Sequence, residues 1–135
     1  MNDRADDVWS TIATLVTDSR GDYRRAVIAE IGMPFSRVRV LRRLVESSLT
    51  MKALAEAATM DAPAATVSVN DLEQRGLVTR EASSTSGREK VVTITAAGRA
   101  VIDRVNAVRQ PAPAVIAALS DDDLAELHRL LRPSR

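Results

Sequence analysis

Residues 50–94 read TMKALAEAATMDAPAATVSVNDLEQRGLVTREASSTSGREKVVTI, and the fold is decided there. Thr50 is placed to cap a short helix whose inward positions are Ala53, Leu54, Ala57 and Ala58. Its side-chain oxygen accepts from a first-turn N–H, an interaction worth about 1 kcal/mol. A break at Thr59-Met60 follows. Asp61 caps a second helix with Pro63 in its first turn, where a missing N–H costs nothing. Val69 and Leu72 form the inward face of that helix, and the small Ala65 and Ser68 let it sit close to its neighbour. Gly76 stands where a helix takes a left-handed stop. Two β-rich runs, 77–81 and 90–94, then flank a tip of small polar residues. Two helices rich in small residues, a glycine stop and a hairpin make a winged helix-turn-helix, an architecture that usually reads DNA.

Composition fits this reading and excludes others. The 135 residues suit one domain, and 45% hydrophobic with 27% charged residues describes a globular chain. A net charge of +1 provides no strong overall field, so a DNA face must be a local patch. There is no cysteine, which excludes disulfides, thiolate metal sites and thiol-based sensing. His128 is the single histidine, so one chain cannot assemble an imidazole cluster; no metal and no cofactor are expected. The start, MNDRADDVW, is acidic and polar, unlike a signal peptide, and no run approaches about 20 apolar residues. A cytoplasmic protein with no membrane partner is expected.

Outward from the centre, residues 3–31 read as one long helix. Val8, Ile12, Leu15, Val16, Tyr23, Val27 and Ile31 recur at helical spacing, with Gly21 as an interruption and Gly32-Met33-Pro34 as its end. Ser36 is read as the cap of a second helix with Val38, Leu41, Leu44 and Val45 on its buried side. Arg37, Arg39, Arg42 and Arg43 crowd its other faces, either as a solvated surface or, for one or two of them, as phosphate or ligand-anion contacts. Leu49-Thr50-Met51 adds a minor strand beside the wing. After the wing, Thr95 caps a helix carrying Ala96, Val101, Ile102, Val105 and Val108, and Pro111 and Pro113 break it near Arg109-Gln110. Residues 114–119 turn helical again. Ser120 with Asp123 starts a last helix bearing Leu124, Leu127, Leu130 and Leu131.

These terminal stripes exceed what a winged core can cover. Each Leu or Val withdrawn from water contributes roughly 1.5–3 kcal/mol, so pairing across a two-fold axis is the expected solution. The expected organisation is one structural domain in three parts. Residues 1–31 form an N-terminal dimerisation helix, 36–94 the winged core and 95–135 the C-terminal dimerisation helices. The homodimer contacts are assigned to Val8, Ile12, Leu15, Val115, Ile116, Leu119, Leu124, Leu127 and Leu131.

Two segments, VRVLRRLVESSLTMKALAEAATMDAPAATVSVNDLEQRGLV (38–78) and VVTITAAGRAVI (91–102), resemble the MarR family of bacterial transcription regulators. The resemblance covers roughly residues 36–105; the ends match only in helical character. It implies a dimer held by the terminal helices, a recognition helix in the major groove and a wing arginine in the minor groove. It also implies a small phenolic or anionic ligand that releases DNA. Two departures stand out. The family's wing tip carries Asp-x-Arg, whereas this chain has Ser86-Gly87-Arg88, so the arginine loses a charge-assisted brace. The recognition helix also lacks the family's outward cation near Val67; no Arg or Lys precedes Arg75, which excludes bidentate arginine–guanine contacts from it.

What that helix offers is thymine-methyl contact through Ala64 and Val67 and a hydroxyl from Thr66, with Ala62 and Pro63 beside them and Asn70 reaching a base or phosphate. Thr66 has a competing use, a back-bond to the Ala62 carbonyl. Lys52, Arg75, Arg80, Arg88, Lys90 and Arg37 supply phosphate contacts, and A·T-rich sites with steep salt dependence are expected. Effector contacts are assigned to Tyr23, Val27, Met33, Phe35 and Arg39, against the plainer reading that these pack a core. The function read from the sequence is a sequence-specific DNA-binding repressor, acting as a homodimer on a pseudo-palindrome. The acidic, arginine-poor recognition helix keeps open a winged-helix module that binds protein instead. No constellation supports an enzyme.

Overall fold

The computed structural model describes residues 2–83 and 89–132. In chain order these form α1 (Asp3–Ile31), α2 (Phe35–Leu44), β1 (Leu49–Thr50), α3 (Met51–Ala57), α4 (Ala62–Gln74), β2 (Val78–Ala82), β3 (Lys90–Ile94), α5 (Ala96–Ala107), α6 (Ala114–Ala117) and α7 (Asp121–Leu131). The fold is mainly helical with a small antiparallel sheet, the winged helix-turn-helix expected. Contacts group the chain into two units, 24–108 and 1–23 with 109–135. The core therefore extends past the 36–94 segment: Val27 of α1 and Val105 of α5 are fully buried in the larger unit.

Side-chain capping starts most of the helices. Thr50 accepts from Ala53 N, Asp61 from Ala64 N, Thr95 from Gly98 N and Ser120 from Asp123 N, at 2.7–3.1 Å. The start of α2 differs from the sequence expectation. Ser36 is not the cap; Pro34 is, in extended geometry with no side-chain bond, and the helix begins two residues earlier, at Phe35. The fixed φ of proline sets that entry, and Ser36 Oγ instead accepts from Arg37 at 3.1 Å. Val45, expected on the buried side, is the half-exposed C-cap, and Val40 takes the buried place. On α3, Leu54, Ala55 and Ala58 are buried, while Ala53 and Ala57 are half-buried.

Two helices stop in the same way. After α4, Gly76 adopts φ +74, its N–H reaches Glu73 O and the Leu77 N–H reaches Leu72 O. This paired closure satisfies carbonyls that a helix end leaves open. Leu77 is thereby used in the stop, and β2 begins at Val78 rather than Leu77. After α3 the same pair of bonds runs from Thr59 to Glu56 and from Met60 to Ala55, but a threonine occupies the left-handed position, at φ +55. A β-branched residue there is strained by about 1–2 kcal/mol.

The sheet order is β1-β3-β2, with Leu49 opposite Val92 and Val78 opposite Ile94. Val78, Val92 and Ile94 face the core, joined by Leu41 and Leu44 of α2 and Leu54 of α3. Where α4 crosses its neighbours, Ala65 and Ser68 are buried with Val69 and Leu72. The small side chains permit the close approach that the sequence pattern implies.

The wing and α5 meet at Gly98. A Cβ built there would lie 2.3 Å from the Leu77 carbonyl oxygen and 2.7 Å from the Ile94 side chain. The Leu77 carbonyl is fixed because it accepts from Thr95 N at 3.0 Å. Gly98→Ala must therefore separate α5 from the root of the wing. A loss of about 3 kcal/mol is expected, at the upper end of ordinary overpacking, read as a lowered urea midpoint with an unchanged slope.

Candidate nucleic-acid interface

On α4, Ala62, Pro63, Ala64, Thr66, Val67 and Asn70 are exposed while Ala65, Ser68, Val69 and Leu72 are buried. The face proposed for base contact is thus the solvent face, with Val67 59% exposed. Thr66 donates to Ala62 O at 3.0 Å, the back-bond weighed from the sequence. Thr66 nevertheless remains an exposed residue. Lys52, in the first turn of α3, joins Ala62 and Thr66 around a cavity of about 340 Å³ with Met51, Ala55, Glu56 and Met60. Pro63, Ala64 and Val67 line an open groove of about 540 Å³ on the other side, shared with Ser36, Arg37, Arg39 and residues 59–61.

The acids that made this helix look unsuited to DNA are each engaged locally. Asp61 is the N-cap. Asp71 accepts from Arg37 Nε at 2.8 Å through one oxygen and from Arg75 Nε at 3.1 Å through the other. Glu73 Oε1 accepts from Arg80 Nη2 at 3.1 Å, and the same nitrogen donates to Asn70 Oδ1 at 2.8 Å. The Arg37 hydrogen bond holds the Asp71 carboxyl below its ordinary value; partial burial opposes it, and Arg75 adds to the lowering.

These pairings revise individual assignments. Arg37, read as a phosphate contact, is 15% exposed and also reaches Ser68 Oγ at 3.2 Å, so it fastens α2 to α4 instead. Asn70 and Arg80 work as a pair, with Arg80 25% exposed. Arg75 remains 43% exposed, its Nε committed to Asp71 at the root of the fork. Lys90 is exposed at the start of β3, opposite Ala82. Arg88, with Ser86 and Gly87 beside it, lies outside the described residues.

The residues assigned to an effector occupy different settings. Val27 and Met33 are core, 0% and 3% exposed. Phe35 has the Arg24 guanidinium 5.0 Å and that of Arg42 5.9 Å from its ring centre, a cation–π arrangement. Tyr23 is half-exposed and belongs to the other unit. Arg39 caps α3 by donating to the carbonyls of Ala58 and Thr59. Sequence reasoning missed Asp71 as the residue that gathers two arginines. The spacing of Asp71 and Arg75, four apart on a helix, signals half of that arrangement, whereas Arg37 is 34 positions away.

In the smaller unit none of the described residues is buried. Val8, Trp9, Val16, Val115, Leu130 and Leu131 are 47–68% exposed, and Ile12, Leu15, Ile116, Leu119, Leu124 and Leu127 are half-exposed. No helix among the described residues is long and apolar enough to cross a membrane.

Comparison with known proteins agrees with this geometry. Residues 31–89 match the model of the MarR family. The HTH-type transcriptional repressor Rv2887 of Mycobacterium tuberculosis is 35% identical over 108 residues, 78% of each chain. Among solved structures, the MarR family transcriptional regulator Sco3205 from Streptomyces coelicolor, in complex with DNA, is 27% identical with a TM-score of 0.64, covering 100% of this chain and 92% of that one. A probable transcriptional regulator from Pseudomonas aeruginosa is 28% identical with a TM-score of 0.64, covering 89% of this chain and 93% of that one.

The Asp71 contacts generate a stability prediction. Hydrogen bonds to charged groups contribute about 1.5–3 kcal/mol, so Asp71→Asn is expected to cost that much at neutral pH. Because the folded carboxyl titrates below its unfolded value, its contribution is complete above the ordinary carboxylate range and is lost as pH falls through the lowered value. The gap between wild type and Asp71→Asn should therefore be constant from pH 7 to 5 and close below about pH 4. Urea melts across that range measure it; a gap that widens on acidification contradicts the assignment.

Proposed function

Since the chain belongs to the MarR family and is a DNA-binding transcriptional regulator, we propose that it is a repressor acting as a homodimer on a pseudo-palindromic operator. One pattern carries the reading: large apolar residues are left bare in two places. Val67 stands exposed on α4, where a methyl-bearing surface suits thymine C5. Val8, Trp9, Val16, Val115, Leu130 and Leu131 stand exposed on the terminal helices, where a second copy would cover them. In this reading 1–31 and 95–135 supply the dimer contacts and 36–94 the DNA contacts. Two copies of α4 then enter successive major grooves, with half-sites about one helical turn apart. Occupation of such a site blocks polymerase.

The engaged acids of α4 weaken one of the two grounds for a protein partner, its acidity; the lack of an outward cation before Arg75 stands. Asp71 and Glu73 present arginine-paired carboxylates rather than open charge. Lys52, Arg75, Lys90 and Arg88 supply the phosphate contacts of the proposal, with A·T-rich sequence preference coming from Ala64, Thr66 and Val67.

Two experiments test it. DNA from upstream of the gene and a scrambled duplex are titrated by fluorescence anisotropy at several salt concentrations. A preference for the upstream duplex is expected, with affinity falling steeply in salt. Arg88→Ala or Lys52→Ala should weaken both duplexes alike and reduce the salt slope by about one unit each. Equal, feeble binding of the two duplexes refutes the proposal. Separately, sedimentation should give a dimer at micromolar concentration. Replacing Leu127 and Leu131 by Asp should yield a monomer whose DNA affinity falls at least about tenfold, the loss of one half-site's contribution. A wild-type monomer that binds operator undiminished overturns the dimer.

A further inference from the structure

We propose that Asn70 reads an adenine in the major groove, and that Arg80 is the positioning residue that decides which end of its amide faces the DNA. This assignment rests on the proposed function, in which α4 enters that groove. Asn70 is exposed on α4 one helical turn after Thr66, and residues four apart share a face of a helix. Its Oδ1 accepts from Arg80 Nη2 at 2.8 Å, and the same nitrogen donates to Glu73 Oε1 at 3.1 Å. Arg80 belongs to β2, so a strand of the wing holds a side chain of α4.

A guanidinium has donors only, so the atom of Asn70 that meets Arg80 has to be the amide oxygen. That fixes the amide end for end. Nδ2 is left as a donor, and among the described residues no hydrogen bond uses it. Arg80 takes one lone pair of Oδ1 and leaves the other. A donor beside a free lone pair is the pattern that adenine complements, through N7 and N6–H. Earlier on the exposed face of α4, Ala62, Pro63, Ala64 and Val67 carry no polar side-chain atom, and the Thr66 hydroxyl donates to Ala62 O.

Charge balance separates Arg80 from the phosphate contacts. Its side chain is 25% exposed and lies against the Glu73 carboxylate, so it brings no unbalanced charge to the DNA backbone. What it contributes is order. An amide on an exposed helix face otherwise samples several rotamers, and holding it before DNA arrives lowers the entropy lost on binding. Glu73 in turn keeps the Arg80 guanidinium beside the amide. Arg80 therefore acts on sequence preference through Asn70, while Lys52 and Lys90 act on affinity for any duplex.

The probe is a library of DNA duplexes with a randomised centre, selected by the full chain and by its variants. Wild type is expected to enrich a symmetric motif with adenine preferred at one position of each half-site. Asn70→Asp keeps an acceptor for Arg80 and removes the donor. It should fold as wild type does and move that position from adenine to cytosine, whose N4–H donates to a carboxylate, with the other positions unchanged. Arg80→Gln lets the amide reverse, so the adenine preference should fall about tenfold. Its salt slope, from anisotropy titrations of the enriched duplex, should equal that of wild type. Placing 7-deazaadenine at the position should weaken wild type about tenfold and Asn70→Ala not at all. An Asn70→Asp motif identical to that of wild type overturns the reading of Asn70. An intact adenine preference in Arg80→Gln, with a salt slope lower by about one unit, makes Arg80 a phosphate contact and overturns its positioning role. Failure of wild type to enrich any motif refutes the proposed function itself.

Discussion

One carboxylate sets the pose of α4, the helix proposed to meet DNA. Asp71 receives Arg37 from α2 on one oxygen and Arg75 from its own helix on the other. Arg37 extends the link to Ser68, a buried hydroxyl on the inner face of α4. A mostly buried guanidinium without such partners would be far more costly than a neutral residue, so the pairing restricts α2 and α4 to the orientation in which all three groups meet. Hydrophobic contact alone is less selective: Val69 and Leu72 would tolerate small rotations of α4, while a two-sided carboxylate does not.

The same acids answer how a helix with three carboxylates can approach a polyanion. Charge matters by where it is balanced. Asp61 is spent on a cap, Asp71 lies between two guanidiniums and Glu73 meets Arg80. The first two turns of α4 show methyls and a hydroxyl outward, with Asn70, Glu73 and Gln74 exposed further along, and the cations proposed for phosphate include Lys52 at the start of α3 and Lys90 on β3. In the proposed complex the helix reads and its surroundings hold, a division that suits a chain with a net charge of +1.

Much of this was legible because it is local. Thr50, Asp61, Thr95 and Ser120 all cap as expected, since a cap needs only its own side chain and an N–H three residues on. The inward face of α4 was equally readable from spacing. The start of α2 was misread because Ser36 has a capping side chain, yet Pro34 had already fixed the backbone ahead of it. The first residue of β2 slipped by one because Leu77 donates its N–H to close α4. Arg37 reads as a phosphate contact in the sequence because nothing within a helical turn announces Asp71. Pairings over 34 positions have no local signature, and a line of arginines looks the same whether it meets solvent, DNA or a neighbouring helix.

The two helix ends of the helix-turn-helix close alike but are held differently. Both close with the same pair of backbone bonds, but glycine serves at residue 76 and threonine at residue 59. Gly76 needs no help, since a left-handed glycine is unstrained. Thr59 is held partly by Arg39, a side chain from another helix. The stop after α4 is therefore set by its own sequence, while the turn before α4 depends on a contact from another helix. A turn of that kind, at the entry to α4, makes the orientation of that helix depend on a side chain outside its own segment.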